Sequence, residues 1–251
     1  MNSKVILITG AGKGIGEATV KSFLKHSKQD GMKFRFFLTS RTEADLKKLQ
    51  GECVAQGAEC EILPTDLSSD PASIVAKAIA RFGQIDVLLH SAGVGRFGDF
   101  LTMTPEDVKF VVDTNITATF LLLQATYREM QKKKSGTLAI VTSVAGEKPF
   151  EHSSIYCMSK FAQKGLIDVM RLYGYRDGIR ILDVKPGATH TPMWGEVSND
   201  QQQKMMTAEE VAEITVSAIL LPLRASENSG QSSGSLASVE EITIRPLRGD
   251  L

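Results

Sequence analysis

Val5-Ile6-Leu7-Ile8-Thr9-Gly10-Ala11-Gly12-Lys13-Gly14-Ile15-Gly16 is the stretch whose reading decides the fold. Its first four residues form an apolar β-type run, and a helical pattern follows from Glu17 to Lys25. Glycines between a strand and a helix let the backbone turn sharply and approach a pyrophosphate. The helix start then offers free N–H groups and a positive dipole end. An ordinary glycine turn is the competing reading. The strand–loop–helix context favours a nucleotide-binding loop that uses Gly10, Lys13, Gly14, Ile15 and Gly16.

Outward from this loop the chain alternates regularly. Apolar β-type runs fall at 5–9, 34–39, 59–64, 87–91, 137–142, 180–184 and 240–244, with helical patterns at 14–25, 43–55, 71–81, 105–133, 154–175 and 208–220. The pattern over 105–133 reads as two helices broken near Asn115. Alternation with near-continuous apolar strands predicts an α/β fold, a doubly wound sheet of about seven mainly parallel strands covered on both faces. Right-handed crossovers place the loops after the strands on one edge, so Gly10, Ser40, Asp66, Ser91, Ser143 and Pro186 converge there. Neither a repeat nor a second-domain boundary is visible, so residues 1–251 read as one domain.

Composition narrows the function classes. Lys+Arg and Asp+Glu each number 29, so no global charge favours nucleic acid or an anionic membrane. A 42% hydrophobic share suits a packed core rather than a disordered chain. No apolar run approaches the ~20 residues that span a bilayer. The first strand begins almost at once, leaving no signal peptide. Cys53, Cys60 and Cys157 form neither a CxxC pair nor an even framework, which fits a cytoplasmic protein. Cys157 reads as a small buried thiol. His26, His90, His152 and His190 lack paired ligand spacing, so no metal is expected.

Two segments break the regularity. Residues 26–33 make a long, polar link from the first helix to the second strand. Residues 226–238 are rich in Ser and Gly without periodicity and read as a flexible loop, with a substrate lid as the alternative.

The chemistry-bearing pair is Tyr156 and Lys160, four apart and so on one helix face. An ammonium beside a phenol favours the phenolate and lowers a pKa that starts near ~10. A phenol tuned this way is a usable general acid toward a carbonyl oxygen. Alone, the pair reads equally as an aromatic packed under a lysine stem.

In company it reads otherwise. The loop Thr9–Gly16, Asp66-Leu67, Ala92-Gly93, Asn115, Ser143, the Tyr156–Lys160 pair and Pro186-Gly187 occur in one order over essentially the whole chain. This set resembles the short-chain dehydrogenase/reductase family, including the separation between Ser143 and Tyr156. The resemblance implies that Tyr156 exchanges a proton with the substrate oxygen. Lys160 would favour the phenolate and bond the nicotinamide ribose. Ser143 would polarise the carbonyl, and Asn115 would hold a water linking Lys160 to solvent. It further implies that Asp66 contacts adenine, with Leu67 beside it, while Gly93, Pro186, Gly187, Thr189 and Thr191 border the cofactor and Thr191 meets the carboxamide.

Charge selects the cofactor. The second strand is followed by Ser40-Arg41-Thr42 with no acid at the turn, and Lys13 reaches the same place. A forked guanidinium, an ammonium and a hydroxyl suit a 2′-phosphate, so NADP(H) is expected over NAD(H). Where the family commonly has Asn-Asn-Ala-Gly, this chain has His90-Ser91-Ala92-Gly93. His90 is read as a structural replacement for the first Asn.

The substrate side should include Phe97, Met193 and Trp194, with Pro149, Phe150, His152 and His190 nearby. Such a lining suits a flat heteroaromatic ring. The longer link after the first helix, the runs 93–98, 153–160 and 192–195 and the ending 245–250 together resemble bacterial sepiapterin reductases. That resemblance implies NADPH-dependent reduction of the side-chain ketone of a 6-acyl pterin. Asp250 is the candidate anchor for the pterin edge, or else a solvated tail residue. Trp194 is either a pocket wall or loop packing. A reductase for another ketone (a 3-oxoacyl thioester, diketone or sugar) remains open, as does a nucleotide-sensing protein without catalysis. The helical segments at 117–133 and 154–175 correspond to the family's dimer-forming helices, so a homodimer or homotetramer is expected.

Overall fold

The computed structural model describes residues 3–229 and 237–249. Seven strands form one sheet: β1 (Lys4–Thr9), β2 (Phe34–Ser40), β3 (Glu59–Pro64), β4 (Val87–His90), β5 (Gly136–Val141), β6 (Ile179–Pro186) and β7 (Glu241–Ile244). Their spatial order is β3-β2-β1-β4-β5-β6-β7, and every pairing is parallel. The order reverses between β1 and β4, the switch point where ligands bind in open α/β sheets.

The alternation of strand side chains explains the layers. Ile6 and Ile8 of β1 pack with Phe23 of α1 (Gly14–Asp30), Leu46 of α2 (Glu43–Ala55) and Val211 of α8 (Ala208–Ser229). Val5 and Leu7 point the other way, to Ile74 of α3 (Pro71–Phe82), Leu122 of α5 (Thr119–Lys133) and Ile167 of α6 (Ser154–Asp177). The remaining helices, α4 (Pro105–Val111) and α7 (Asn199–Gln202), are short.

Three expectations are corrected. The link at 26–33 is short, because α1 continues to Asp30 and stops at Gly31, a left-handed cap with φ 70°. His26 is buried within that last stretch, so polarity there conceals packed helix rather than loop. The segment 105–133 is not broken at Asn115. A seven-residue π-helix, Val112–Ala118, joins α4 to α5 and accommodates the extra residue without ending the helix. Of the loop expected at 226–238, residues 226–229 extend α8, residues 237 and 238 are irregular, and residues 230–236 lie outside the described set.

Strand β6 departs from a purely apolar core. Asp183 and Lys185 are buried on the α6 side of the sheet with Ile181. Lys185 Nζ donates to Glu147 Oε1 and Glu241 Oε2, both at 2.5 Å, and the Thr142 hydroxyl donates to Asp183. Arg171 of α6 donates to Glu241 Oε1 at 2.6 Å. Charges this deep are tolerated only when paired, and here they fasten the loop bearing Glu147 to the last two strands.

Candidate active site

All six residues expected at the C-terminal strand edge line one cleft of about 770 Å³. The glycine loop forms one wall. Gly10 has φ 70°, and a side chain there would stand 2.7 Å from the Ala92 nitrogen. Gly16 lies beneath the loop, where a Cβ would come within 2.2 Å of the Gly10 carbonyl oxygen. Gly10 and Gly14 border the cleft, whereas Gly16 allows α1 to pack against the loop. Lys13 precedes α1 in extended conformation without a side-chain cap, which leaves the first N–H groups directed to the cleft end.

Next to this wall, Ser40, Arg41, Asp66 and Leu67 line the cleft with Lys13 and Ile15. The Ser40 hydroxyl is buried and has no hydrogen-bond partner among the described residues. Asp66 accepts from the Ser68 backbone N–H at 2.8 Å and its hydroxyl at 2.7 Å. Those bonds, with the nearby Arg41 charge, hold its carboxyl below the usual range. Thr191 rests on the loop, 3.1 Å from where a Gly14 Cβ would stand. Thr189 is buried and donates to the Gly187 carbonyl at 3.0 Å, shaping the turn after Pro186. Gly93 faces Asn115 and Lys160 across the floor of the cleft.

Ser143, Tyr156 and Lys160 meet at the centre. Ser143 follows β5, and its oxygen accepts from the Ala145 N–H at 3.1 Å. Its hydroxyl also hydrogen-bonds the Tyr156 phenol. Lys160 is buried one helical turn on, its Nζ 5.6 Å from the Tyr156 ring centroid. The electrostatics differ from the sequence expectation. Burial pushes the Tyr156 phenol up to about 12, opposed by the Ser143 bond. Burial likewise pulls Lys160 down to about 8, opposed by the Asp183 carboxylate. The Lys160 ammonium lies toward the ring face and donates to the Val141 carbonyl at 3.3 Å, and burial, opposed by the Ser143 bond, sets the direction of the phenol's shift.

Asn115 sits in the π-helix, fully buried. Its side chain clasps the Val94 backbone, donating to the carbonyl at 2.8 Å and accepting from the N–H at 2.9 Å. It also donates to Ser159 Oγ at 3.0 Å. The Asn115 carbonyl accepts from Gln163 Nε2 at 2.8 Å. His90 is the buried brace expected of it, bonded to Thr9 Oγ1 at 2.7 Å and Thr119 Oγ1 at 2.9 Å. Burial, with the Lys160 charge, drops its pKa to about 3 and keeps the ring neutral. Gln163 and Thr119 had no sequence signal, since a helical Gln or Thr ordinarily faces solvent.

An aromatic wall covers this centre. Phe97 stands 5.3 Å from the Tyr156 ring and lies nearly parallel to Trp194, 8° between planes and 6.1 Å between centroids. Gly95 makes room for it, since a Cβ there would sit 2.5 Å from the Phe97 ring. Phe150 and Met193 complete the wall, while His152 and Pro149 are exposed beside it. His190 is also exposed, outside the cleft lining. Sequence reading missed Asp45, which also lines the cleft, as do Gly12 of the glycine loop and Arg96 of the 93–98 run. Arg96 is held over Phe110 at 4.3 Å and to Asp107 at 3.2 Å. Asp250 lies outside the described residues.

Known proteins are similar to this chain in sequence and fold. A family described as short chain dehydrogenase matches residues 4–202. A sepiapterin reductase of Chlorobaculum tepidum is 43% identical over 250 residues, covering 98% of each chain. The Escherichia coli oxidoreductase UcpA is 30% identical over 90% of this chain and 86% of its own. Among solved structures, a metagenomic short-chain oxidoreductase in complex with NADP superposes with a TM-score of 0.76 at 27% identity, covering 97% of this chain and 96% of that one. On the family match and the near end-to-end similarity to these relatives, this chain belongs to the short-chain dehydrogenase family.

Proposed function

We propose that this protein is an NADPH-dependent carbonyl reductase that reduces the side-chain ketone of sepiapterin or a related 6-acyl pterin. The observation that carries the reading is the joining of Ser143, Tyr156 and Lys160 beneath the Phe97–Trp194 pair. The similarity to a sepiapterin reductase supports the pterin, and the NADP complex of a short-chain relative supports the cofactor.

The residues present fit a dinucleotide. Gly10 and Gly16 leave a backbone cradle that a Cβ would fill, and the buried Ser40 hydroxyl lacks a partner where a 2′-phosphate would lie. Gly10, Lys13, Gly14 and Ile15 would hold the pyrophosphate. Ser40, Arg41 and Lys13 would take the 2′-phosphate, and Asp66, Leu67 and Gly93 the adenosine side. Pro186, Gly187, Thr189 and Thr191 would border the carboxamide. When bound, the nicotinamide supplies the hydride.

The protein's own residues handle the proton. A phenol at about 12 holds its proton throughout the neutral range, the state a general acid requires. Ser143 bonds the ketone oxygen and aligns it with the phenol, stabilising charge as it develops. Lys160 keeps a positive charge below about pH 8, favours the phenolate that remains after transfer, and bonds the ribose. Asn115 positions the Val94 turn that leads to Phe97, besides its place in returning a proton toward Lys160. Phe97, Met193 and Trp194 would hold the flat ring, with Asp250 as a further anchor.

Exposed Phe120, Leu121, Phe161, Val169 and Leu172 on α5 and α6 support pairing into a homodimer or homotetramer. We further propose a cytoplasmic enzyme working as one catalytic domain. No helix among the described residues is long and apolar enough to cross a membrane. Initial rates of NADPH and NADH oxidation with sepiapterin test the reading, with Tyr156→Phe as control. Turnover with NADPH that the variant loses supports it. Turnover of simple diketones but not sepiapterin replaces the pterin with another ketone. Unchanged rates in Tyr156→Phe overturn the acid.

A further inference from the structure

The end of the cleft that would receive adenosine is lined by two cations, Lys13 and Arg41, and two carboxylates, Asp45 and Asp66. Its formal charge is therefore balanced, although a 2′-phosphate brings roughly −1.5 to −2, as phosphate monoesters do near neutral pH. The two carboxylates are not equivalent. Asp66 is tied up by the backbone and hydroxyl of Ser68. Asp45, in the first turn of α2, faces Lys13, with Oδ2 3.5 Å from Nζ. Asp45 Oδ2 is buried and makes no hydrogen bond, so this ion pair is its one direct partner among the described residues.

The crowding here is specific. A side chain at position 12 would stand 2.6 Å from Ser40 Oγ and 3.3 Å from Asp45 Cβ. Gly12 thus lets Ser40, Asp45 and Lys13 share one small volume. Any phosphate that bonds the partnerless Ser40 hydroxyl comes close to the Asp45 carboxylate as well. It also competes with that carboxylate for the Lys13 ammonium.

Resting on the NADPH reading above, we infer that Asp45 restrains binding of the 2′-phosphate and so limits discrimination between NADPH and NADH. Its charge opposes the phosphate and competes for Lys13. A 2′-hydroxyl carries no charge for the Asp45 carboxylate to repel, so the repulsion falls on the phosphate-bearing cofactor alone. Arg41 and Ser40 select for the phosphate while Asp45 holds its affinity down.

Calorimetric titration tests this with NADPH, NADH, adenosine 2′,5′-bisphosphate and 5′-AMP on the wild-type protein, Asp45→Asn and Asp45→Ser. Thermal unfolding checks that each variant is folded, and the two variants guard against loss of one. Both should bind NADPH and the bisphosphate about fivefold more tightly at low salt, with NADH and 5′-AMP within about twofold of wild type. The gain should shrink at high ionic strength. Equal tightening of phosphorylated and unphosphorylated ligands overturns the inference. Weaker NADPH binding also overturns it, and assigns Asp45 to holding Lys13 in place. A wild-type protein that binds neither dinucleotide removes the cofactor reading and this inference with it. Binding of both with no change in the variants removes the inference alone.

Discussion

Lys160 Nζ stands 5.6 Å from the centre of the Tyr156 ring and gives a hydrogen bond to the Val141 carbonyl. The ammonium therefore meets the π-face of Tyr156. With the phenol at about 12 and the lysine at about 8, the group that loses its proton first as pH rises is Lys160. Reduction should accordingly be flat in pH below about 8 and decline above it, with the phenol still protonated. Lys160→Arg, which stays charged, should carry the decline to higher pH. Identical basic limbs of kcat/KM in the two proteins would remove Lys160 as the titrating group.

His90 connects folding to pH. Its folded pKa of about 3 lies below the ordinary histidine value of 6.5, so the unfolded chain binds the extra proton between those limits. Stability is then full above pH 6.5 and falls as pH drops toward about 3. Between pH 7 and 5 the loss due to this ring should be about 2 kcal/mol. Denaturant unfolding of His90→Asn at both pH values should show that much less pH dependence. An unaltered slope would mean other groups carry it.

Two glycines separate steric demand from backbone preference. Gly31 has φ 70° and open space around it, so Gly31→Ala should cost only about 1 kcal/mol and leave cofactor affinity alone. Gly16→Ala forces a methyl against the Gly10 carbonyl, backbone against backbone. It should cost about 1–3 kcal/mol and weaken dinucleotide binding at least tenfold, about the same scale in binding energy. Paired unfolding and titration curves check both. Unimpaired binding in Gly16→Ala would show that the loop can shift.

The parallel rings of Phe97 and Trp194 predict a substrate-binding effect rather than a chemical one. Trp194→Ala and Phe97→Ala should each raise KM for sepiapterin about tenfold, the scale of a lost aromatic contact. The KM for a small diketone should change far less. Equal losses on both substrates would indicate that the rings brace Tyr156 instead of holding the flat ring.

Local patterns were sufficient for the sheet and its helices. Strand–loop–helix at Val5–Gly16 follows from spacing and backbone chemistry, which are read along the chain, whereas Asp66, Asn115, Ser143, Tyr156, Lys160 and Pro186 were singled out by their common order and the family it resembles. Helix ends were less legible. Polar residues at 26–30 suggested a loop, yet a single left-handed Gly31 fixed the stop. At Asn115 a break in periodicity had two meanings, and only packing chose the π-helix.

The sequence by itself determined the parallel sheet and the cleft edge, because glycine turns and apolar periods are local, while the family resemblance pointed to Ser143, Tyr156 and Lys160. The tertiary structure alone decided the electrostatics. Whether Lys160 lowers the Tyr156 phenol depends on where its ammonium points and how deeply both are buried, and desolvation proved the larger effect. It also decided that Asp45 meets Lys13, and that Gln163 donates to the Asn115 backbone carbonyl and to Thr119 Oγ1. Those partners are 32, 48 and 44 positions apart, so no local pattern records them. Only the packing of the folded chain brings them together.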